Sequence, residues 1–391
     1  MSRYDHLSRP LKQFSENGPA GCACALARDG KILYEGYYGY ADKEAGIPIN
    51  ESTVYRLYSM TKVLVCTAAL LQFERGKFLL NEPLYEYFPE YRKPLVVKDT
   101  SFGWAYGGPA LEEAEAPMLI KHAFTMAVGL PYPNGETPSA IAMKQVRQKL
   151  EAQYGKFDLQ TDIKAMAAVP LAFEPGTHFL YGYGHDLVAG LVEVTSGKTI
   201  GQFLKDEIFD PLGMGDTGYR YFGDIKSRMA ALYRRDEDGT LTKIDGFMDK
   251  NHEPDAVYES GGAGLFSTVK DYLKFTQMMA RGGVYEGQRI IGRKTIDLMR
   301  RNHLNEEQLR DFACSYQAGY GYGLGVRTMM DPAAGGSNGS IGEFGWTGFA
   351  GTWTFIDPAE GFSGVYMHQM LPNREEYHHH RVRAAAYGCL E

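Results

Sequence analysis

The sequence predicts an α+β fold: an antiparallel sheet built from both termini and flanked by helices, with an inserted, mostly helical domain. Three observations predict it. A strand pair opens the chain, strand-like runs close it, and the stretch between reads as helices and long loops punctuated by proline and glycine.

Taken in order, residues 21–28 and 31–38 are strand-like and are joined by Asp29-Gly30, a strong hairpin signal. Cys22 and Cys24 fall on one side of the first strand and read as small core residues. From about 60 to 75 runs an almost wholly apolar segment ending near Gly76, the mark of a buried helix. Pro83, Pro89 and Pro94 then break the chain and mark a domain crossing. The expected division is residues 1–85 with 256–391 for the sheet domain and 86–255 for the helical one, the active site lying between them. Candidate helices cover 118–127, 139–152, 161–167, 184–196 and 199–208. Gly261-Gly262-Ala263-Gly264 reads as a structural turn, since no Gly-Lys-Ser/Thr follows it. Ser267 is expected to cap a surface helix near 268–280. Residues 322–329, 350–356 and 362–369 read as strands, with a turn over Asp357–Gly361. A helix near 373–388 closes the chain, and its His378-His379-His380 run reads as a solvated face rather than a metal site.

Composition narrows the function. At 391 residues the chain can bury a large core; 44% apolar and 23% charged residues are ordinary for a globular protein. A net charge of −7 without a basic run disfavours nucleic acid and anionic membrane as partners. No apolar run reaches the roughly 20 residues that span a bilayer. The N-terminus lacks an apolar export segment, so five cysteines read as free thiols in a reducing cytosol and the expected location is cytoplasmic.

The chemistry concentrates at Ser59-Met60-Thr61-Lys62, where the apolar run begins. Positions i and i+3 share a helix face, so a hydroxyl sits beside an amine at the mouth of a buried helix. Burial disfavours an ammonium, which leads to the expectation of a neutral, proton-accepting Lys62. The bland alternative makes Ser59 an N-cap. A second stretch, Phe173-Glu174-Pro175-Gly176, turns the chain before Tyr181. A lone tyrosine carries little weight among 27, so the motif matters only in company. The third stretch, Gly345-Trp346-Thr347-Gly348-Phe349, leads into a strand, and its glycines allow close backbone approach.

Together, Ser-x-x-Lys, the tyrosine after Pro-Gly and the x-Thr-Gly strand resemble the serine β-lactamase and penicillin-binding-protein superfamily. The resemblance is closest to the class C-like branch that includes family VIII carboxylesterases. It is supported by Asp210-Pro211-Leu212-Gly213-Met214, Gly261–Leu265 and Gly342-Glu343-Phe344-Gly345-Trp346, in the family's order. The resemblance implies Ser59 as the acylated nucleophile, Lys62 as its proton relay and Tyr181 as the base. It further implies an oxyanion hole from the backbone N–H groups of Ser59 and Phe349, a substrate-binding strand at Trp346, Thr347 and Gly348, and no cofactor or metal.

Two departures bear on substrate. Trp346 stands where penicillin-acting members carry a lysine for the substrate carboxylate, and it offers an apolar wall instead. Tyr183 stands where the class C pattern has an asparagine that contacts an amide. Both favour a small-molecule ester with a fairly apolar acyl group over an amide. The expected activity is a carboxylesterase working through an acyl-enzyme. The rivals are an amide-directed member (a weak β-lactamase, D-aminopeptidase or amidase) and an idle binding module. Phe102, Trp104, Tyr106 and Tyr132 are candidates for a substrate wall.

Overall fold

The computed structural model describes residues 3–99, 110–313 and 317–390; Phe102, Trp104, Tyr106 and Cys314 lie outside the described residues. Helix α1 (Asp5–Asn17) leads into strands β1 (Gly21–Arg28), β2 (Lys31–Asp42) and β3 (Ile47–Pro48). Helix α2 (Thr61–Glu74) follows, then α3 (Pro138–Tyr154), α4 (Leu159–Met166), α5 (Gly184–Ser196) and α6 (Val269–Ala280). The chain ends with β4 (Tyr320–Tyr322), β5 (Arg327–Met329), β6 (Phe344–Gly345), β7 (Trp353–Asp357), β8 (Phe362–His368) and helix α7 (Glu375–Tyr387). The main sheet runs β4-β5-β6-β7-β8-β1-β2-β3, all antiparallel, so the two chain ends meet where β8 pairs with β1, Cys24 opposite Tyr366.

The hairpin expected at Asp29-Gly30 is present, both residues having positive φ (52° and 81°), which suits a tight turn matched to strand twist. Strand β1 is buried on both faces. Cys22, Cys24 and Leu26 pack under α1 and α7 with Leu11, Phe14, Trp353 and Tyr366. Ala23, Ala25 and Ala27 face the larger core, where α6 lies on the sheet. Three alanines in alternate positions let a helix approach closely, and period-2 alternation sorts the two layers.

Several expectations need correction. Helix α1 carries only three buried residues, Leu7, Leu11 and Phe14, in an otherwise polar run, too thin a stripe to stand out in sequence. Residues 322–329 form not one strand but the β4–β5 hairpin, because Gly325, at φ +88°, turns the chain. Helix α6 is not a surface helix; it packs against β1, β7 and β8. Its cap is Thr268, whose hydroxyl accepts from the Asp271 N–H at 3.1 Å. Ser267 instead sits in a buried strand and bonds Thr217 at 2.7 Å. His378 and His379 are buried rather than solvated, His379 stacking on Trp353 at 5.2 Å. The middle of the chain also holds short hairpins, Leu95–Asp99 with Ala110–Glu113 and Leu232–Arg235 with Leu241–Ile244. No helix among the described residues is long and apolar enough to cross a membrane.

Candidate active site

Helix α2 is buried on every side, from Thr61 through Gln72, and packs against α5. Tyr58–Met60 forms a short 3-10 turn ahead of it. Tyr58 has φ +44°, a left-handed backbone that costs a non-glycine residue on the order of 1–3 kcal/mol. The strain falls on the residue before Ser59. The cap position of α2 belongs to Met60, which makes no side-chain cap bond, so Ser59 is not an N-cap. Its hydroxyl accepts from Lys62 Nζ at 3.1 Å.

Lys62 has no exposed surface. Its Nζ also donates to Tyr132 Oη at 3.2 Å and to the Gly262 carbonyl at 2.5 Å. Burial alone pulls its pKa down, but Tyr132, Tyr181 and Asp186 around it outweigh that, and the net shift is upward. Three oxygens around the nitrogen give each N–H of an ammonium a place to donate. The expectation of a neutral Lys62 is therefore overturned: it weighed burial and could not see the oxygens gathered round the nitrogen.

Tyr181 follows the Pro-Gly turn and places its ring centroid 4.7 Å from Lys62 Nζ. Trp346, 5% exposed, stacks on that ring at 5.6 Å and donates its indole N–H to Tyr181 Oη at 3.0 Å. Trp346 thus combines a ring face with a hydrogen-bond donor.

Gly348 follows. A Cβ there would stand 2.3 Å from the Leu57 carbonyl and 2.0 Å from Thr352 Oγ1. Only glycine lets this segment lie against the turn that carries Ser59. The backbone N–H of the next residue, Phe349, has no acceptor among the described residues. Thr347 turns its hydroxyl to Glu375 at 2.7 Å. Ser59, Tyr181, Tyr183 and Phe349 line one cavity of about 860 Å³; Trp346, Thr347 and Gly348 stand outside its lining.

Three contributors went unread in the sequence as parts of this centre. Tyr132, considered above only as a wall, anchors Lys62; burial pushes its own pKa up against the pull of Lys62, so it stays a neutral phenol. Gly262, considered only as a turn, supplies the carbonyl. Asp186 is buried in α5 and accepts from Ser260 Oγ at 2.9 Å and the Gly261 N–H at 3.0 Å. Burial raises its pKa, opposed first by Lys62. A tyrosine two residues after Gly-Leu and an aspartate five after Tyr181 were the available signals, and neither is distinctive alone.

The fold and this cluster define a serine hydrolase of the β-lactamase and penicillin-binding-protein type. The sequence model of the Beta-lactamase family matches residues 8–387, and the chain belongs to that family. Protein Rv1367c of Mycobacterium tuberculosis is 30% identical over 350 residues, covering 88% of this chain and 84% of that protein. Esterase EstB of Burkholderia gladioli is 28% identical over 360 residues, again covering 88% and 84%. Among solved structures, EstCE1, described as a hydrolase with promiscuous acyltransferase activity, superposes with a TM-score of 0.81 at 22% identity over 98% of both chains.

Proposed function

We propose that this protein is a carboxylesterase that cleaves small to medium acyl esters through an acyl-enzyme on Ser59. The observation that carries the reading is Trp346: it occupies the third motif without a charge and spends its N–H on Tyr181. Activity of the relative EstB, an esterase by name, agrees with it.

In this mechanism Ser59 Oγ attacks the ester carbonyl while its proton passes to Tyr181 Oη, which enters the step as a phenolate beside the Lys62 ammonium. Lys62 stays an ammonium throughout, orienting Ser59 and favouring negative charge on the oxygens around it. The oxyanion of the tetrahedral intermediate takes hydrogen bonds from the Ser59 and Phe349 N–H groups. Collapse breaks the C–O bond, and the leaving alcohol takes the proton from Tyr181. Water then attacks the acyl-Ser59 ester, gives its proton to Tyr181, and the second collapse frees the acid and returns that proton to Ser59.

The test compares p-nitrophenyl butyrate with nitrocefin, using wild type and Ser59→Ala. Ester turnover that vanishes in Ser59→Ala, with little nitrocefin cleavage, is the expected result. Nitrocefin turnover equal to that of the ester moves the amide-directed reading ahead. No turnover and no fluorophosphonate adduct on Ser59 in folded protein points to an idle module.

A further inference from the structure

The cavity over Ser59 is larger than a short acyl ester needs: about 860 Å³, near the top of the range for small-molecule sites. Its lining is apolar on one side, where the exposed rings of Phe247 and Phe349 meet the buried Tyr58. Away from the nucleophile it becomes charged. Tyr132 touches Lys62, the Tyr183 ring packs on Tyr132 at 5.0 Å, and the Arg147 guanidinium stands 5.5 Å from the Tyr183 ring. Arg147 is therefore two rings removed from the reacting centre, in the wall of the same cavity.

Its setting is that of a fixed donor. Phe157 and Tyr258 stand at 5.7 Å on other sides, and Nη1 donates to Asp162 Oδ2 at 2.5 Å. Asp162 is fully buried in α4. The remaining N–H groups of Arg147 have no protein acceptor among the described residues. The other charged residues lining the cavity are Lys156, Lys250 and Glu151, so cations outnumber the single anion. Lys156 pairs with the exposed Asp255, while Lys250 has no ion-pair partner among the described residues. A guanidinium held in place with donors to spare fits a planar carboxylate, edge to edge.

We propose that the physiological ester carries a carboxylate several bonds from the scissile carbonyl, and that Arg147, helped by Lys250, binds it. The apolar stretch between ester and acid lies along the aromatic lining. The proposal rests on the esterase reading above and names its substrate class: the ester of an amphipathic acid, or of an alcohol that bears one.

The experiment uses matched esters followed by pH-stat. Monomethyl suberate is set against methyl octanoate, and 8-acetoxyoctanoate against octyl acetate, so that the acid lies on the acyl or the alcohol side. Wild type is expected to prefer the anionic member of at least one pair. In Arg147→Gln the anionic-to-neutral ratio of kcat/KM should fall by about tenfold or more, through KM, as one charge-assisted hydrogen bond is lost. Lys250→Gln, a surface change, should lower the same ratio by about threefold. Arg147→Lys keeps the charge opposite Asp162 and serves if Arg147→Gln does not fold; it should lower the ratio because the fork is gone. A preference for the neutral ester in both pairs overturns the proposal, as does a ratio unmoved in both the Arg147 and Lys250 variants. Turnover that survives Ser59→Ala sinks the esterase reading instead, and is scored separately on the neutral esters.

Discussion

Lys62 and Arg383 are both cut off from solvent, the first completely and the second to 3% exposure, yet their surroundings differ. Arg383 faces a carboxylate directly: Glu343 Oε2 lies 3.2 Å away, Arg327 approaches the same carboxylate at 3.8 Å, and Tyr320 donates to it at 3.1 Å. Lys62 is given hydroxyls and a carbonyl, and Asp186 is not among its hydrogen-bond partners. A charge that only holds the fold together is neutralised in contact. A charge that has work to do faces neutral oxygens, one of which is Ser59 Oγ, the proposed nucleophile. Burial is common to both; what separates them is whether the partner is an ion.

The contrast can be broken most sharply at its two centres. Lys62→Met should lower ester kcat/KM by at least roughly 10³-fold while costing less stability than Arg383→Met, because Asp186, the buried acid that Lys62 offsets, keeps its hydrogen bonds from Ser260 and Gly261. Arg383→Met should do the opposite and destabilise by about 3–5 kcal/mol, since Glu343 stays buried and under-compensated. Ester kinetics and urea denaturation on both variants check the pair, and similar losses of stability in the two would end the comparison. A smaller effect is expected one step out. Trp346→Phe keeps the ring on Tyr181 but removes its donor, and kcat should fall by about 10–10²-fold with little change in KM.

The smallest effect concerns pH and sharpens the structural side. His378 packs at 5.0 Å from His368, and burial pushes its pKa down to about 4. His368 and His379 are also pushed well below the usual histidine value, again by burial first. These groups are neutral when folded but protonate in the unfolded chain near pH 6.5. Their contribution is intact above that value and falls as pH drops through it, by about 1.4 kcal/mol per pH unit for each group; for His378 the loss runs toward about 4. Calorimetry from pH 7.5 to 5 should show a falling melting temperature, and His378→Phe should flatten the slope.

Much of the frame was legible because local chemistry agrees with the global fold. Asp29-Gly30 announces its hairpin, and α2 is apolar on every face because every face is covered. What was not legible depends on partners far away in the chain. The sequence shows a serine and a lysine three apart, but the charge of Lys62 is set by Tyr132, Tyr181 and Asp186, all far along the chain. Ser267-x-x-Lys270 has the same spacing as Ser59 and Lys62, but Ser267 lies in a strand paired with residues 54–56, a pairing that no periodicity reveals. The same applies to α6, whose lysines at 270 and 274 mimic a surface face although the sheet covers the rest. Trp346 reads as a hydrophobic residue, and the use of its N–H emerges only when Tyr181 is placed against it.

The contact that seats Gly348 on Leu57 has a consequence for the newly made chain. Thr352 Oγ1 also donates to the Leu57 carbonyl at 3.0 Å, across 295 residues. Ser59, the proposed nucleophile, is synthesised early, while the Phe349 amide proposed to face it across the reacting carbonyl arrives near the end of translation. In the proposed mechanism, a nascent polypeptide holding Ser59, Lys62 and Tyr181 is thus an unarmed enzyme. If that mechanism holds, catalysis begins only when the last strands dock beside the first, and the appearance of activity during refolding times the joining of the chain's two ends.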